Sequence, residues 1–430
     1  MFLRLFKKIN NQKVIEQSGR LHKGDSSLLI HTGILMLVGL VVIYAIGPAR
    51  ANLLNHVSGS DYSDDHFFIK QLTSVIIATI TFVVLSKINY QFWIRNSLKI
   101  VLFSLFLSIL LAISGFFNLP LTQCTLGACR WFDLGPLGTF QPSELLKFGL
   151  LMFLANFIAT KIRNDKFHDN NETLYPVAAI TLFASFLIIV LQKDMGTGIT
   201  LFSIVLCMVI VAGINNKLLG KIIITTISLL IVFIISSPHR IDRVTTFFKI
   251  DNSTTSEASS YHIEHAKIAL GSGGLFGVGV GNSVQATGYL PEAINDSVFA
   301  IIGEMFGFVG ALAILFLLFG MLNRIFKIMH NSIEITTKLI MAGIFGWISS
   351  HVILNITSMI GIFPLTGITL PLLSYGGTSF IFISAIIAIS YQISKSTSTN
   401  LRKDSYYENS SRRGWIRRSR NSGNFSNRSY

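Results

Sequence analysis

Charge is scarce in this chain. Asp, Glu, Lys and Arg make up 13% of its 430 residues, against about 25% in an ordinary soluble protein. Acid is scarcer still, with 21 Asp and Glu set against 35 Lys and Arg. The shortage is organised, because long uncharged runs alternate with short charged joints. That pattern excludes a soluble globular fold and fits a solvent that cannot hydrate charge. Cysteine is nearly absent, with three in all, which excludes a disulfide-dense scaffold. Zinc-ligand spacing, a phosphate-binding P-loop and a Ser-His-Asp order are also missing, so those chemistries carry no weight.

What is present is apolar: 51% of the residues are hydrophobic. In lipid only helices or closed barrels satisfy every backbone group. The apolar runs are too continuous for the alternation of barrel strands. The expected fold is therefore all-α, a polytopic membrane helical bundle. Ten spans are predicted at about 28–46, 72–85, 100–117, 145–160, 174–191, 199–212, 222–235, 297–322, 339–360 and 379–393. Several fall short of the roughly 20 residues a crossing needs, so they must tilt or extend into polar flanks. The first run is read as an uncleaved helix rather than a signal peptide, because further spans follow it.

The net charge of +14 is explained by topology. One set of joints carries Lys87, Arg95 and Lys99, then Lys161, Arg163 and Lys166, then Lys217 and Lys221, then Arg324, Lys327 and Lys338. Both basic tails fall on that side. The opposite joints carry Asp61, Asp64 and Asp65. The positive-inside rule then predicts a multi-pass inner-membrane protein with both termini cytoplasmic, and no nucleic-acid partner. Three regions follow: a basic segment 1–24, a membrane domain 25–395, and a basic tail 396–430 expected to be disordered and drawn to anionic lipid.

One outer connection, 236–296, is far longer than an ordinary loop. It holds an amphipathic stretch at 261–270, then a Gly-rich run from Gly271 to Gly281. No strand precedes the run, so it is not a dinucleotide fingerprint. Tight turns folding the loop onto the membrane surface are the expected role. Cys124 and Cys129 share a short outer loop. A disulfide suits an oxidising compartment, but spacing alone does not establish it. Cys207 reads as packing.

Ionisable groups at membrane depth are costly and therefore functional candidates. Asp296 stands where the long loop enters the eighth span, readable as a helix N-cap, as a base, or as both. Glu292 lies just upstream, and Glu304 two turns downstream is read as structural, paired with a cation. Ser143 reads as an N-cap, with Glu144 and Lys147 placed to pair on one helix face. Arg130 and Lys147 are candidates for a phosphorylated headgroup. Further breaks at 191–197, with Gln192 and Asp194, and at 363–378, with Ser374 and Gly376, are assigned structural roles. Four irregular elements on one face suggest one shared site.

These segments resemble the SEDS family, the shape, elongation, division and sporulation proteins. The resemblance runs from the first span to the tenth. It is carried by Arg130-Trp with Gln141-Pro-Ser-Glu-Leu-Leu-Lys147, by Gln192-Lys-Asp-Met-Gly-Thr197 and by Ala269-Leu-Gly-Ser-Gly-Gly-Leu-Phe-Gly277. Tyr289-Leu-Pro-Glu-Ala293 with Asp296 and Leu370-Pro-Leu-Leu-Ser-Tyr-Gly-Gly-Thr-Ser379 complete it. It implies a peptidoglycan glycosyltransferase that polymerises lipid II and releases undecaprenyl pyrophosphate. Implied partners are a class B penicillin-binding protein and other division or elongation membrane proteins. Asp296 matches the acid the family requires. Arg130, Lys147, Glu144, Glu292, Arg243 and Lys267 are the expected substrate-binding residues, with a divalent cation (Mg or Mn) as company for the pyrophosphate rather than held in a protein cage. The motifs look FtsW-like more than RodA-like. A lipid II flippase is the rival reading; an ion-coupled transporter would need inverted repeats and midplane acids. The chain departs from the family at Lys193, His265 and Met305, where Pro, Gln and Glu are usual.

Overall fold

The computed structural model describes residues 24–117, 122–125, 128–133, 135, 138–167, 170–235 and 257–396. The basic ends and Arg243 lie outside the described residues.

Every one of the ten predicted spans is a helix. In chain order they are α1 (Ser26–Ser58), α2 (His66–Leu85), α3 (Tyr90–Phe116), α4 (Pro142–Arg163), α5 (Glu172–Leu191), α6 (Met195–Val211) and α7 (Asn216–Ile235). After α8 (Glu257–Ser272) come α9 (Val298–Asn331), α10 (Ile335–Met359) and α11 (Gly377–Ser396). Eight of the described helices are long and apolar enough to cross a membrane. The short apolar runs extend into polar flanks, as bilayer thickness demands: α2 begins at His66 and α3 at Tyr90. The first helix overshoots instead, running past its apolar run and through Pro48 to Ser58. Asp25 caps its start by accepting from Leu28 N–H (3.0 Å). The same carboxylate pairs with Arg324 of α9 at 2.7 Å, joining the first helix to the ninth.

Burial sorts the helices. In α4 and α10 the most apolar stretch is 78% buried, against 11% in α2. The first two form the centre of the bundle, with α10 packed on α4, α6 and α9. Glu144 and Lys147 on α4 and His351 and Asn355 on α10 are enclosed by protein, whereas α2 is peripheral.

Two features were not foreseen. A three-stranded antiparallel sheet sits between α3 and α4: β1 (Thr122–Thr125), β2 (Ala128–Asp133) and β3 (Thr139–Phe140), in the order β1-β2-β3. Cys124 and Cys129 are cross-strand partners and form a disulfide. The other feature is a break in α9 at Gly307, whose φ is +67°. The backbone groups freed there are taken up by the Gly-rich run. Val278 N–H donates to Glu304 O (2.9 Å) and Gly279 N–H to Met305 O (3.1 Å); Phe308 N–H donates to Gly274 O (2.9 Å) and Val309 N–H to Leu275 O (3.1 Å). Only glycine allows this approach, since a Cβ on Gly277 would lie 2.2 Å from Met305 O. The run thus folds into the side of a broken helix, and the amphipathic stretch before it is α8.

Candidate active site

The four irregular segments meet at one end of the bundle, joined by hydrogen bonds. Arg130 on β2 donates through Nη2 to Lys193 O (2.7 Å) and through Nε to Gln192 O (3.4 Å). Gln141 Nε2 donates to Asp194 Oδ2 (3.1 Å). Thr378 Oγ1 donates to Thr139 O. Tyr375 N–H donates to Ile294 O (2.8 Å), bringing the 364–376 segment against the turn that carries Asp296. Asn355 on α10 clamps both, its Nδ2 donating to Asp296 O and to Ile368 O, each at 2.7 Å. A shallow recess lined by Thr369, Leu370, Pro371, Ser374 and Ser379 opens beside this junction.

Asp296 is 8% exposed and stands in the turn before α9. The N-cap position belongs to Ser297, which corrects the reading of Asp296 as a cap. Ser297 Oγ donates to Pro291 O (2.8 Å) and therefore accepts from His262 Nε2 of α8 (2.6 Å). A hydroxyl has one proton, so His262 must be the donor in that pair. His262 thus pins the Asp296 turn to α8. A second histidine, His265, meets Gln285 Oε1 through Nδ1 (2.8 Å) beside Tyr261 and Tyr289.

Glu304 does not pair with a cation; among the described residues no Lys or Arg forms an ion pair with it. It accepts from Ser283 Oγ, Val284 N–H (3.0 Å) and Gln285 N–H (3.2 Å). Backbone amides satisfy a buried carboxylate as a cation would. Ser143 is likewise not a cap: Pro142 opens α4, Gln141 holds the cap position, and Ser143 is buried within the helix.

Lys147 was expected to face a headgroup, and the bundle encloses it fully. Its side chain is 0% exposed, its Nζ 2.8 Å from Glu144 Oε1 and 4.5 Å above the Trp347 ring. His351 Nε2 lies 3.5 Å from the same ammonium, and its Nδ1 reaches Thr369 O (3.3 Å). A carbonyl can only accept, so Nδ1 carries the proton and Nε2 accepts from Lys147. Glu144 and Lys147 are consequently internal supports for the 364–376 segment rather than ligands for a lipid headgroup.

Cations do reach the surface elsewhere. Lys267 is exposed on α8, its chain lying across Gly361. Glu292 is exposed and pairs with Arg50 of α1 at 3.7 Å. Asp194 caps α6 through Thr197 N–H (2.9 Å) and Thr197 Oγ1 (2.8 Å). Gln192 is fully buried beside it. Ser374 Oγ accepts from Leu370 N–H (2.8 Å). Gly376 has ordinary φ and room for a Cβ, so the backbone does not demand glycine there.

Four non-glycine residues have positive φ among those described, and three of them, Lys193 (+53°), Glu292 (+50°) and Leu372 (+65°), lie in these segments. Such conformations cost on the order of 1–3 kcal/mol each and gather at functional sites. The value at Lys193 also explains a departure, since proline, locked near −65°, could not hold this backbone. His262, His351, Asn355 and Arg50 were not singled out in the sequence. The two histidines offered only their residue type, Asn355 and Arg50 no signal at all, and their partners are distant in the chain.

A polytopic helical bundle with a carboxylate set in hydrogen-bonded breaks at one end defines a class of membrane protein. Comparison gives the family: residues 25–399 match the cell cycle protein family of FtsW, RodA and SpoVE, and the chain belongs to it. It is 32% identical over 387 residues to the probable peptidoglycan glycosyltransferase FtsW of Escherichia coli O6:H1, covering 88% of this chain and 89% of that one. It is 31% identical over 372 residues to the stage V sporulation protein E of Bacillus subtilis, covering 86% and 97%. Among solved structures, the Thermus thermophilus rod shape determining protein RodA matches at TM-score 0.59 and 23% identity, over 86% of this chain and 97% of that one. A chain from a structure described as a peptidoglycan synthase complex that coordinates polymerization and crosslinking matches at TM-score 0.65 and 21% identity, over 87% and 98%. The two structures share the fold.

Proposed function

We propose that this chain is a peptidoglycan glycosyltransferase that polymerises lipid II, of the FtsW-like kind that serves division rather than the RodA-like kind of elongation. The observation that carries the reading is Asp296, held in the turn where Asn355, Tyr375 and His262 converge on its backbone and on Ser297. Its carboxylate takes the proton from the acceptor sugar hydroxyl. The hydroxyl oxygen attacks the donor's anomeric carbon, and the bond to undecaprenyl pyrophosphate breaks with its electron pair on the leaving oxygen. Two cations, exposed Lys267 and half-buried Arg50, offset the charge that grows there. Arg130 is committed to two carbonyls and acts by fixing the 192–194 loop.

Among the described residues no three His, Cys, Asp or Glu gather to hold a metal ion. Magnesium or manganese would come with the substrate's pyrophosphate oxygens, and no step here runs through it. The disulfide in the hairpin beside the site supports an oxidising surroundings, hence the outer face of the inner membrane. With that orientation the positive-inside pattern leaves both termini cytoplasmic. A class B penicillin-binding protein is the expected partner, as crosslinker of the strands made here.

Purified chain with its cognate class B penicillin-binding protein, given fluorescent lipid II, tests this directly. Ladders of glycan polymer support the reading. Lipid II crossing vesicle bilayers without polymer would replace it with the flippase. The full enclosure of Glu144, Lys147 and His351 favours polymerisation, because a flippase needs a polar path open across the bundle.

A further inference from the structure

The Gly-rich run and the break in α9 together form a hydrogen-bonded unit with an apolar tip. Leu275 is 65% exposed and Phe276 81%. From Ile268 to Gly281 the chain carries no charged residue; the last charge before it is Lys267, and the next acid is Glu292. Such a tip in water would be a liability.

Its level relative to the bilayer can be read from α9. Exposed Phe308, Leu312, Phe316 and Phe319 form a lipid-facing stripe that begins immediately after the break. The uncharged residues 308–323, about 24 Å long at 1.5 Å per residue, fall short of a hydrocarbon core of about 30 Å, so the crossing continues above the break. Gly274 and Leu275 are bonded through their carbonyls to Phe308 and Val309, so the tip lies beside the top of that stripe and continues it. Irregular backbone at lipid depth requires that its polar groups be closed within protein. The four exchanged bonds across Gly307 close the Gly274 and Leu275 carbonyls and the Val278 and Gly279 N–H groups.

We propose that the Gly-rich run is a re-entrant element whose tip, Leu275 and Phe276, is immersed in the acyl-chain region of the bilayer, with Lys267 marking where α8 leaves the polar interface. The occupant of this surface is lipid hydrocarbon. The Gly-rich run donates and accepts the bonds that let α9 break at that depth, and Glu304, three residues before the break, ties the following 283–285 segment down through three bonds. The turn bearing Asp296 is thereby anchored to the membrane surface independently of any partner. The inference rests on membrane spanning, not on the proposed chemistry.

The test is spin-label accessibility. Phe276→Cys is made in a Cys207→Ser background, labelled with a nitroxide and reconstituted in lipid nanodiscs. Phe316→Cys and Ser58→Cys serve as lipid and aqueous references. Accessibility to oxygen exceeding that to a water-soluble nickel chelate, as at Phe316, is expected. A nickel preference like that of Ser58 would overturn the proposal. So would low accessibility to both reagents, which would mean protein covers the tip. Should Phe276→Cys fail to fold, Leu275→Cys reads the same depth with the same outcomes.

Discussion

Removal of Lys147 should destabilise the protein more than removal of its partner Glu144. The pair is 2.8 Å long, with both side chains at or below 3% exposure. Breaking a buried pair by deleting one member costs about 3–5 kcal/mol, because the survivor is left uncompensated. The two survivors differ here. Without Lys147, Glu144 loses its ion partner while its Oε2 already has no hydrogen-bond partner. Without Glu144, the ammonium keeps His351 at 3.5 Å and the Trp347 ring at 4.5 Å, contacts that retain about 1–2 kcal/mol. Lys147→Met should therefore sit at the upper end of the range and Glu144→Leu at the lower. The double variant, which leaves no buried charge, should lie within about 1 kcal/mol of the parent. Thermal unfolding of purified protein in detergent, followed by a thiol-independent probe, reads the order. At about 2 °C per kcal/mol for a large chain, Lys147→Met should lose roughly 10 °C. A double variant as unstable as the sum of the singles would refute the argument, as would Glu144→Leu proving the worse single change.

Gly277→Ala should unfold earlier than Gly281→Ala. Both have φ near +85° and share a left-handed penalty of about 1–2 kcal/mol, but only Gly277 has backbone within 2.2 Å of a new Cβ. Equal melting temperatures would remove the close approach from the account. His262→Ala should slow polymerisation roughly 3–10-fold, the worth of one hydrogen bond, chiefly in kcat. His262→Gln, which can still donate to Ser297 Oγ, should restore most of the rate, and failure of glutamine to rescue would count against the pinning role.

The helices were legible because lipid imposes a length and a polarity on each crossing, and nothing in tertiary packing overrides that. Their ends were less so. The apolar run of α1 stops at 46 while the helix continues to Ser58, because outside the hydrocarbon a helix needs no apolar residues. The hairpin at 122–133 was unread, its strands being too short to show alternation. Asp296 stood out in the sequence because a carboxylate at the mouth of an apolar span is expensive, and the structure puts it in the turn before α9. Its surroundings did not stand out: Asn355 lies 59 residues away and His262 is 35 residues from Ser297. Lys147 was misplaced for the same reason. Spacing put it beside Glu144, but only three-dimensional packing shows that α10 closes over both. Glu304 shows that a buried acid need not seek a cation when amides are nearer.

The central claim concerns the chemistry of one carboxylate, and Asp296→Asn isolates it by removing the base while keeping the shape. The measurement is glycan polymer formed from lipid II by this variant together with its cognate penicillin-binding protein, alongside melting temperature and complex recovery. The account predicts no polymer above background from a folded, partner-bound protein. Polymer at the parent rate would contradict it.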